Sequence, residues 1–198
     1  MSEDVATTPR GRAKASRRAA LLTAAAALFA EHGFSRVSLE DLGAAAGISG
    51  PAVYRHFDSK QAVLAALLVG VSEELLAGGR KVVAAAASDA EALGSLIRFH
   101  VDFALSNPDV IRVQDRDLSS LLDADRHAVR ALQRGYVELW VSVLERVHPA
   151  ADAAALRIRA HATFGLINST PHSARTQHDA NTDDTRAILE QMALAGLG

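Results

Sequence analysis

The chain has no cysteine, which excludes structural disulfides and thiol chemistry and makes a reducing cytoplasm the expected location. Only five of its 198 residues are proline and 5% are aromatic, while alanine dominates an apolar fraction of 49%. That balance favours helix over sheet, and the length is ample for a sizeable core in one large domain or two small ones. No apolar run approaches the roughly 20 residues that span a bilayer, and no cleavage-like site follows the alanine-rich stretch from Ala19 to Ala30. A soluble protein with no membrane partner is expected. Nucleotide-phosphate motifs are missing as well: neither GxGxxG after a strand nor GxxxxGK followed by Ser or Thr occurs. No two of the eight histidines stand at the i, i+4 spacing with which one helix chelates a metal, and no Cys/His cluster exists, so no metal site or cofactor is expected. No glycine-flanked nucleophile elbow surrounds any serine. No catalytic residue is therefore assigned, and the chain does not read as an enzyme.

What is present is a strong local pattern at residues 36–60, RVSLEDLGAAAGISGPAVYRHFDSK. Ser38 and Asp41 stand as a capping box at the start of a first helix with Leu39, Leu42 and Ala46 on its apolar side. Gly47 stops that helix, and Ile48 plugs the angle of the turn. Ser49 caps a second helix expected from Gly50 to about Phe57, with Pro51 tolerated in its first turn and Val53 and Phe57, four apart, facing inward. The outer face carries Ala52, Tyr54, Arg55 and His56. Two short helices in this arrangement form a helix-turn-helix, whose second helix enters the major groove of DNA.

The string AGISGPAVYRHFDSK, followed by QAVLAAL, resembles the recognition segment of the tetracycline-repressor (TetR) family, and the specific match covers about residues 14–67. The resemblance implies an all-α homodimer with a three-helix N-terminal helix-turn-helix head and a C-terminal helical body for ligand binding and dimerisation. It implies that Gly50, Pro51, Ala52 and Arg55 face base edges, and that Ser38, Ser49, Tyr54, His56 and Lys60 bind phosphates of double-stranded operator DNA. Charge agrees with this placement. Residues 10–60 hold eight Lys/Arg against four Asp/Glu, and residues 61–198 hold thirteen against seventeen.

Taken in order, residues 1–13 read as a disordered basic arm, either solvated or touching DNA. Residues 14–60 form the head, beginning with a helix from Lys14 to His32 that ends at Gly33. Residues 61–198 form the body. Its first helix is expected to be capped by Asp58 and broken or kinked at Gly78-Gly79. Ser88 and Glu91 make a capping box for a helix to Ser106, and Asn107-Pro108 begins a shorter one to about Arg116. Long helices follow over 123–148, about 150–170 and 182–194, with a polar loop at 171–181. Ala160, Phe164, Ile167, Ile188 and Met192 are expected at or near the dimer seam.

Phe99, His100, Phe103, Arg112, Gln114, Trp140, His161, Phe164 and Asn168 fall on inward helical positions, where they are either packed core or the lining of a ligand cavity. Arg126, Arg130 and Arg134 form an i, i+4, i+8 stripe, a solvated face or a surface for an anionic ligand. The segment from Phe99 through HVDFALSNPDVIRV to the RIRAHATFGLINSTPHSA region resembles family members that sense fatty acyl or steroid-derived coenzyme A thioesters, which implies a fatty acyl or acyl-coenzyme A effector. The expected function is a ligand-responsive regulator, a repressor released from DNA by a small apolar or acyl-type molecule. The alternatives are a helical enzyme and a ligand-binding dimer that does not read DNA.

Overall fold

The computed structural model describes residues 8–169 and 182–198, among which there is no β-strand. The first part of the arm and the 171–181 loop lie outside the described residues. Helix α1 spans Pro9–His32, starting earlier than its apolar periodicity indicates. Thr8 is its N-cap, accepting from the Gly11 N–H at 3.0 Å, and Pro9 occupies the first turn. These are start signals in their own right, and they convert the second half of the expected arm into helix. Gly33, at φ 87°, closes α1 by donating to the Phe29 carbonyl.

A short 3-10 turn, Phe34–Arg36, leads to α2 (Leu39–Ala45) and α3 (Gly50–Val53). Helix α3 is shorter than expected, although turn-type bonds from Arg55, His56 and Phe57 back to Ala52 and Val53 carry the winding on. Helix α4 runs Lys60–Ala85 with Ser59, not Asp58, as its cap: the Ser59 hydroxyl accepts from the Ala62 N–H at 3.1 Å. Gly78 and Gly79 neither kink nor end it. They let neighbours close in, since a Cβ on Gly79 would lie 2.6 Å from the Tyr136 ring and one on Gly78 would strike the Phe99 ring.

Helices α5 (Asp89–Ser106), α6 (Pro108–Asp117), α7 (Asp123–Val147), α8 (Ala153–Asn168) and α9 (Thr182–Leu197) complete the described elements. At α5 the Ser88 hydroxyl accepts from Glu91, but the Glu91 carboxylate reaches the Ala87 N–H instead of closing the box on Ser88. Asn107 holds the cap position of α6 without a capping bond, its amide donating back to the Phe103 carbonyl at 3.0 Å.

Two apolar cores result. One joins α1, α2, α3 and the first half of α4, from Leu21 to Val71, and takes in Val110 and Val113 of α6. The other joins the second half of α4 to α5, α7, α8 and α9 around Trp140, Leu96 and Leu144. Helix α4 is long and apolar enough to cross a membrane, contrary to the expectation from run lengths. Its apolar residues serve both cores, which accounts for that composition without a bilayer. Ala160 and Ile167 are fully buried in the second core, so neither is available at a seam between chains. The exposed large apolar side chains of α8 and α9 are instead Ile158, Ile188, Met192 and Leu194.

Candidate nucleic-acid interface and ligand cavity

The reading turn is built by local hydrogen bonds. Ser38 Oγ accepts from the Asp41 N–H at 3.1 Å, and Asp41 Oδ2 accepts from the Ser38 N–H at 2.8 Å and from the Ser38 hydroxyl at 2.7 Å. These bonds hold the Asp41 carboxyl below the usual range. They also commit both Ser38 donors to the cap. At the far end, Gly47 has φ 64°, its N–H donates to Ala44, and the Ile48 N–H donates to Gly43 at 2.8 Å. That pair of bonds is the Schellman closure, which needs a residue tolerant of left-handed geometry at Gly47. Helix α3 then leaves α2 at the angle fixed by Gly43, whose missing Cβ makes room for Val53 and the Ile48 carbonyl.

Val53 and Phe57 face inward, while Pro51, Tyr54 and Arg55 are exposed and Gly50, Ala52, His56 and Lys60 are half-buried. Ser49, Ala52, Arg55 and His56 line an open groove of about 920 Å³ against Arg10, Lys14 and Arg17 of α1. His56 Nδ1 is buried without a hydrogen-bond partner. Burial, and then the charges of Lys14, Arg17, Arg55 and Arg18, lower the imidazole pKa, so this cluster crowds cations around a neutral ring. Such a concentration of positive charge is suited to phosphate. Tyr54 and Lys60 face away from the groove: the Tyr54 hydroxyl donates to Glu40 at 3.1 Å, and Lys60 Nζ donates to the Ser35 carbonyl at 3.3 Å over the Phe34 ring. Of these α1 cations, Arg10 reaches the groove through the unexpectedly early helical start, whereas Lys14 and Arg17 lie in the helix expected from sequence, whose pattern does not show which neighbour they face.

In the body, α4, α5, α6, α7 and α8 enclose a cavity of about 220 Å³. His100, Phe103, Gln114, His161, Phe164 and Asn168 line it, together with Ser72, Gln133, Tyr136 and aliphatic neighbours that the helical pattern alone did not single out as lining. Three expected contacts stand elsewhere. Phe99 packs over Gly78, Arg112 pairs with Asp109 at 2.8 Å, and Trp140 is fully buried behind the cavity wall. The Trp140 ring lies edge-on to Phe164 and His100, with centroids 5.0 and 6.0 Å away, and its N–H has no hydrogen-bond partner.

His100 is the polar centre of this aromatic cluster. Its Nε2 lies 3.2 Å from Asn168 Oδ1, an acceptor, which places the ring proton on Nε2 and leaves Nδ1 to accept from the Tyr136 hydroxyl at 3.4 Å. Burial pushes its pKa down to about 4, partly offset by Asn168. Burial likewise raises the Tyr136 pKa, with the nearby Trp140 indole opposing it. Because the folded histidine binds its proton more weakly than the unfolded one, its contribution to stability is complete above pH 6.5 and declines toward pH 4. Urea unfolding should show about 2 kcal/mol of stability lost from this source between pH 7 and 5, and His100→Phe should remove that part of the slope. An unchanged pH profile in the variant would show that His100 is not the group responsible.

Residues 21–67 match the family model for bacterial regulatory proteins of the tetR family, and residues 86–197 match the model for the tetracyclin repressor-like C-terminal domain. The HTH-type transcriptional repressor KstR2 of Rhodococcus jostii is 30% identical over 133 residues, which span 67% of this chain and 65% of that protein. A TetR-family transcriptional regulator from Bordetella parapertussis superposes with a TM-score of 0.78 at 26% identity, covering 89% of this chain and 93% of that one. The fold also matches FadR of Bacillus subtilis, solved with stearoyl-CoA, at a TM-score of 0.69 and 16% identity over 90% and 98% of the two chains. With both its head and most of its body matched by models of one family, the chain belongs to the TetR family of bacterial transcriptional regulators.

Proposed function

We propose that this protein binds operator DNA as a homodimer, represses transcription in the cytoplasm, and is released when a small effector with an apolar, acyl-type body enters the cavity. In this reading residues 14–60 read DNA and residues 61–198 sense and dimerise, with α4 common to both. Gly50, Pro51, Ala52 and Arg55 meet base edges, and Ser49, Tyr54, His56 and Lys60 meet phosphates, whereas Ser38 acts by shaping the turn. Ile158, Ile188, Met192 and Leu194 supply an apolar seam between copies. The dimer holds its two heads about 34–36 Å apart, or a multiple of that distance, so a ligand favouring another spacing weakens binding.

One observation supports the coupling most directly. Val110, Ile111 and Gln114 of α6 line the cavity, and Arg116 on the same helix donates to the Phe29 and Ala30 carbonyls at the end of α1. A ligand that shifts α6 therefore moves the helix bracing the reading turn. The apolar lining suits an acyl body, and the shared fold with FadR, solved with stearoyl-CoA, supports that class.

The test begins with an operator selected from random duplexes by the purified protein. Arg55→Ala should cost roughly 1–3 kcal/mol on that site and relax the preference at one base pair, most plainly a guanine. Lys60→Ala should weaken all sequences about equally and flatten the salt dependence by about one unit. Unaltered binding in both variants would place the reading surface elsewhere.

A further inference from the structure

We propose that the opening turns of α1, residues 9–20, are a second DNA-binding element: a cationic helix that follows the phosphate backbone beside the base pairs read by α3 and lengthens each half of the operator. The inference rests on the reading of the head as the DNA-binding part. The family model begins at residue 21, so these turns lie outside the segment matched to it. They lie outside the cores as well. Across residues 9–20 every side chain is exposed except for the half-buried Gly11, and Leu21 is the first buried residue of α1. At 1.5 Å per residue this is about 18 Å of helix that contributes nothing to either core.

What this segment carries is charge of one sign. Arg10, Arg12, Lys14, Arg17 and Arg18 stand there with no carboxylate among them. Arg18 lies over the Phe57 ring, 5.1 Å from its centroid, and so ties α1 to the end of the reading turn. Arg10, Lys14 and Arg17, at i, i+4 and i+7, share one face of the helix. That face lines the open groove together with Ser49, Ala52, Arg55 and His56. None of the three has an ion-pair partner among the described residues. Cations at these spacings repel one another, and near a helix N-terminus they oppose the backbone dipole, so the arrangement disfavours the helix that displays it. Thr8 and Pro9 start the helix in spite of this. A polyanion lying in the groove removes both penalties.

The spacing suits one strand of a duplex. Arg10 and Arg17 are separated by about 10 Å along the helix axis, and a strand places a phosphate at about every 3.4 Å of duplex length, so the three cations cover about three consecutive phosphates. Arg55 shares the groove with them and meets base edges in the proposed reading. Phosphates held by α1 then belong to nucleotides flanking those base pairs. Contacts of this kind add affinity and fix register without reading sequence. Because the helix is already formed, the contact also costs less ordering than a disordered arm would.

The test compares the full-length wild type with Arg10→Gln/Lys14→Gln/Arg17→Gln on two duplexes: the selected operator, and the same operator trimmed to the base pairs whose replacement alters affinity. On the full operator the variant should bind at least about tenfold more weakly, and its slope of log affinity against log salt should be shallower by about two to three units per head. Trimming should cost the wild type a similar factor and the variant little, and the variant should keep the wild-type base preference. Its urea midpoint should not fall, since none of the three side chains is buried. Equal affinity and salt slope of the two proteins on the full operator would overturn the proposal and leave the head reading standing, as would a loss of the same size on both duplexes. A changed base preference or a lowered urea midpoint would overturn it too, by giving these cations a part in shaping α3 or the fold. Failure of the wild type to select any duplex would overturn this proposal and the head reading together.

Discussion

Gly43→Val is expected to abolish specific operator binding while leaving the body folded. A Cβ at this position would lie 2.7 Å from Val53 Cγ2 and 2.9 Å from the Ile48 carbonyl oxygen. The first neighbour has few rotamers with which to retreat, and the second is backbone of the turn itself. Gly43 also accepts the Ile48 N–H that closes the turn, so the strain falls on the bond that sets the angle between α2 and α3. Overpacking of this kind costs about 1–3 kcal/mol, and here the relief available is separation of the two helices. Separation moves Arg55 and its neighbours off the groove geometry. Operator affinity should fall by about 100-fold or more, equivalent to roughly 2.7 kcal/mol, with Gly43→Ala intermediate. Trp140 belongs to the other core, so its emission and the effector response should persist. Wild-type operator affinity in Gly43→Val would show that the turn tolerates a side chain there and that the helix angle is not critical.

Gly43 also marks the boundary of what the sequence makes legible. The reading turn was legible because its rules are local: Ser38 and Asp41 make both bonds of the capping box, Gly47 adopts positive φ, and Val53 and Phe57 are buried. A glycine whose task is to admit a residue from another helix carries no such local mark. Gly78 and Gly79 illustrate the same difficulty, since their sequence signal for a break is indistinguishable from the one for close packing against Phe99 and Tyr136. Ala160 and Ile167 show that periodicity identifies a buried face without identifying what buries it: α5, α7 and α9 surround α8, leaving the exposed apolar surface at Ile158 and along α9. In the cavity, inward pattern found His100, Phe164 and Asn168 but could not separate lining from backing. Trp140 lies one layer too deep to line it. The stripe of Arg126, Arg130 and Arg134 stayed open between a solvated face and an anion surface because such a stripe becomes informative only once its pairing is known, and Asp123 pairs with Arg126.

The second large effect concerns Arg116, which joins the cavity's wall to the head. Its guanidinium donates to the Phe29 carbonyl and, at 3.3 Å, to the Ala30 carbonyl, satisfying acceptors in the last turn of α1. It also pairs with the nearly buried Asp117 at 2.9 Å, and the hydrogen bond to that carboxylate raises the arginine's pKa. Arg116→Met leaves Asp117 without its cation and the Ala30 carbonyl without its side-chain donor, while the Phe29 carbonyl keeps only the Gly33 N–H. Since the arginine is partly exposed and water replaces some of what is lost, the expected cost is roughly 2–3 kcal/mol in urea unfolding. Adding Asp117→Leu should restore much of that stability, because removing both charges of a buried pair costs far less than orphaning one. The double variant separates stability from signalling. It should bind effector, as Trp140 emission reports, and bind operator, but the effector should lower operator affinity by less than about threefold, against the 5- to 150-fold typical of coupled sites. Linkage requires the reverse experiment to agree, with operator DNA weakening effector binding by the same small factor. Full effector-driven release in the double variant would mean that the signal reaches the head through α4 or α7, the other helices that enter both cores.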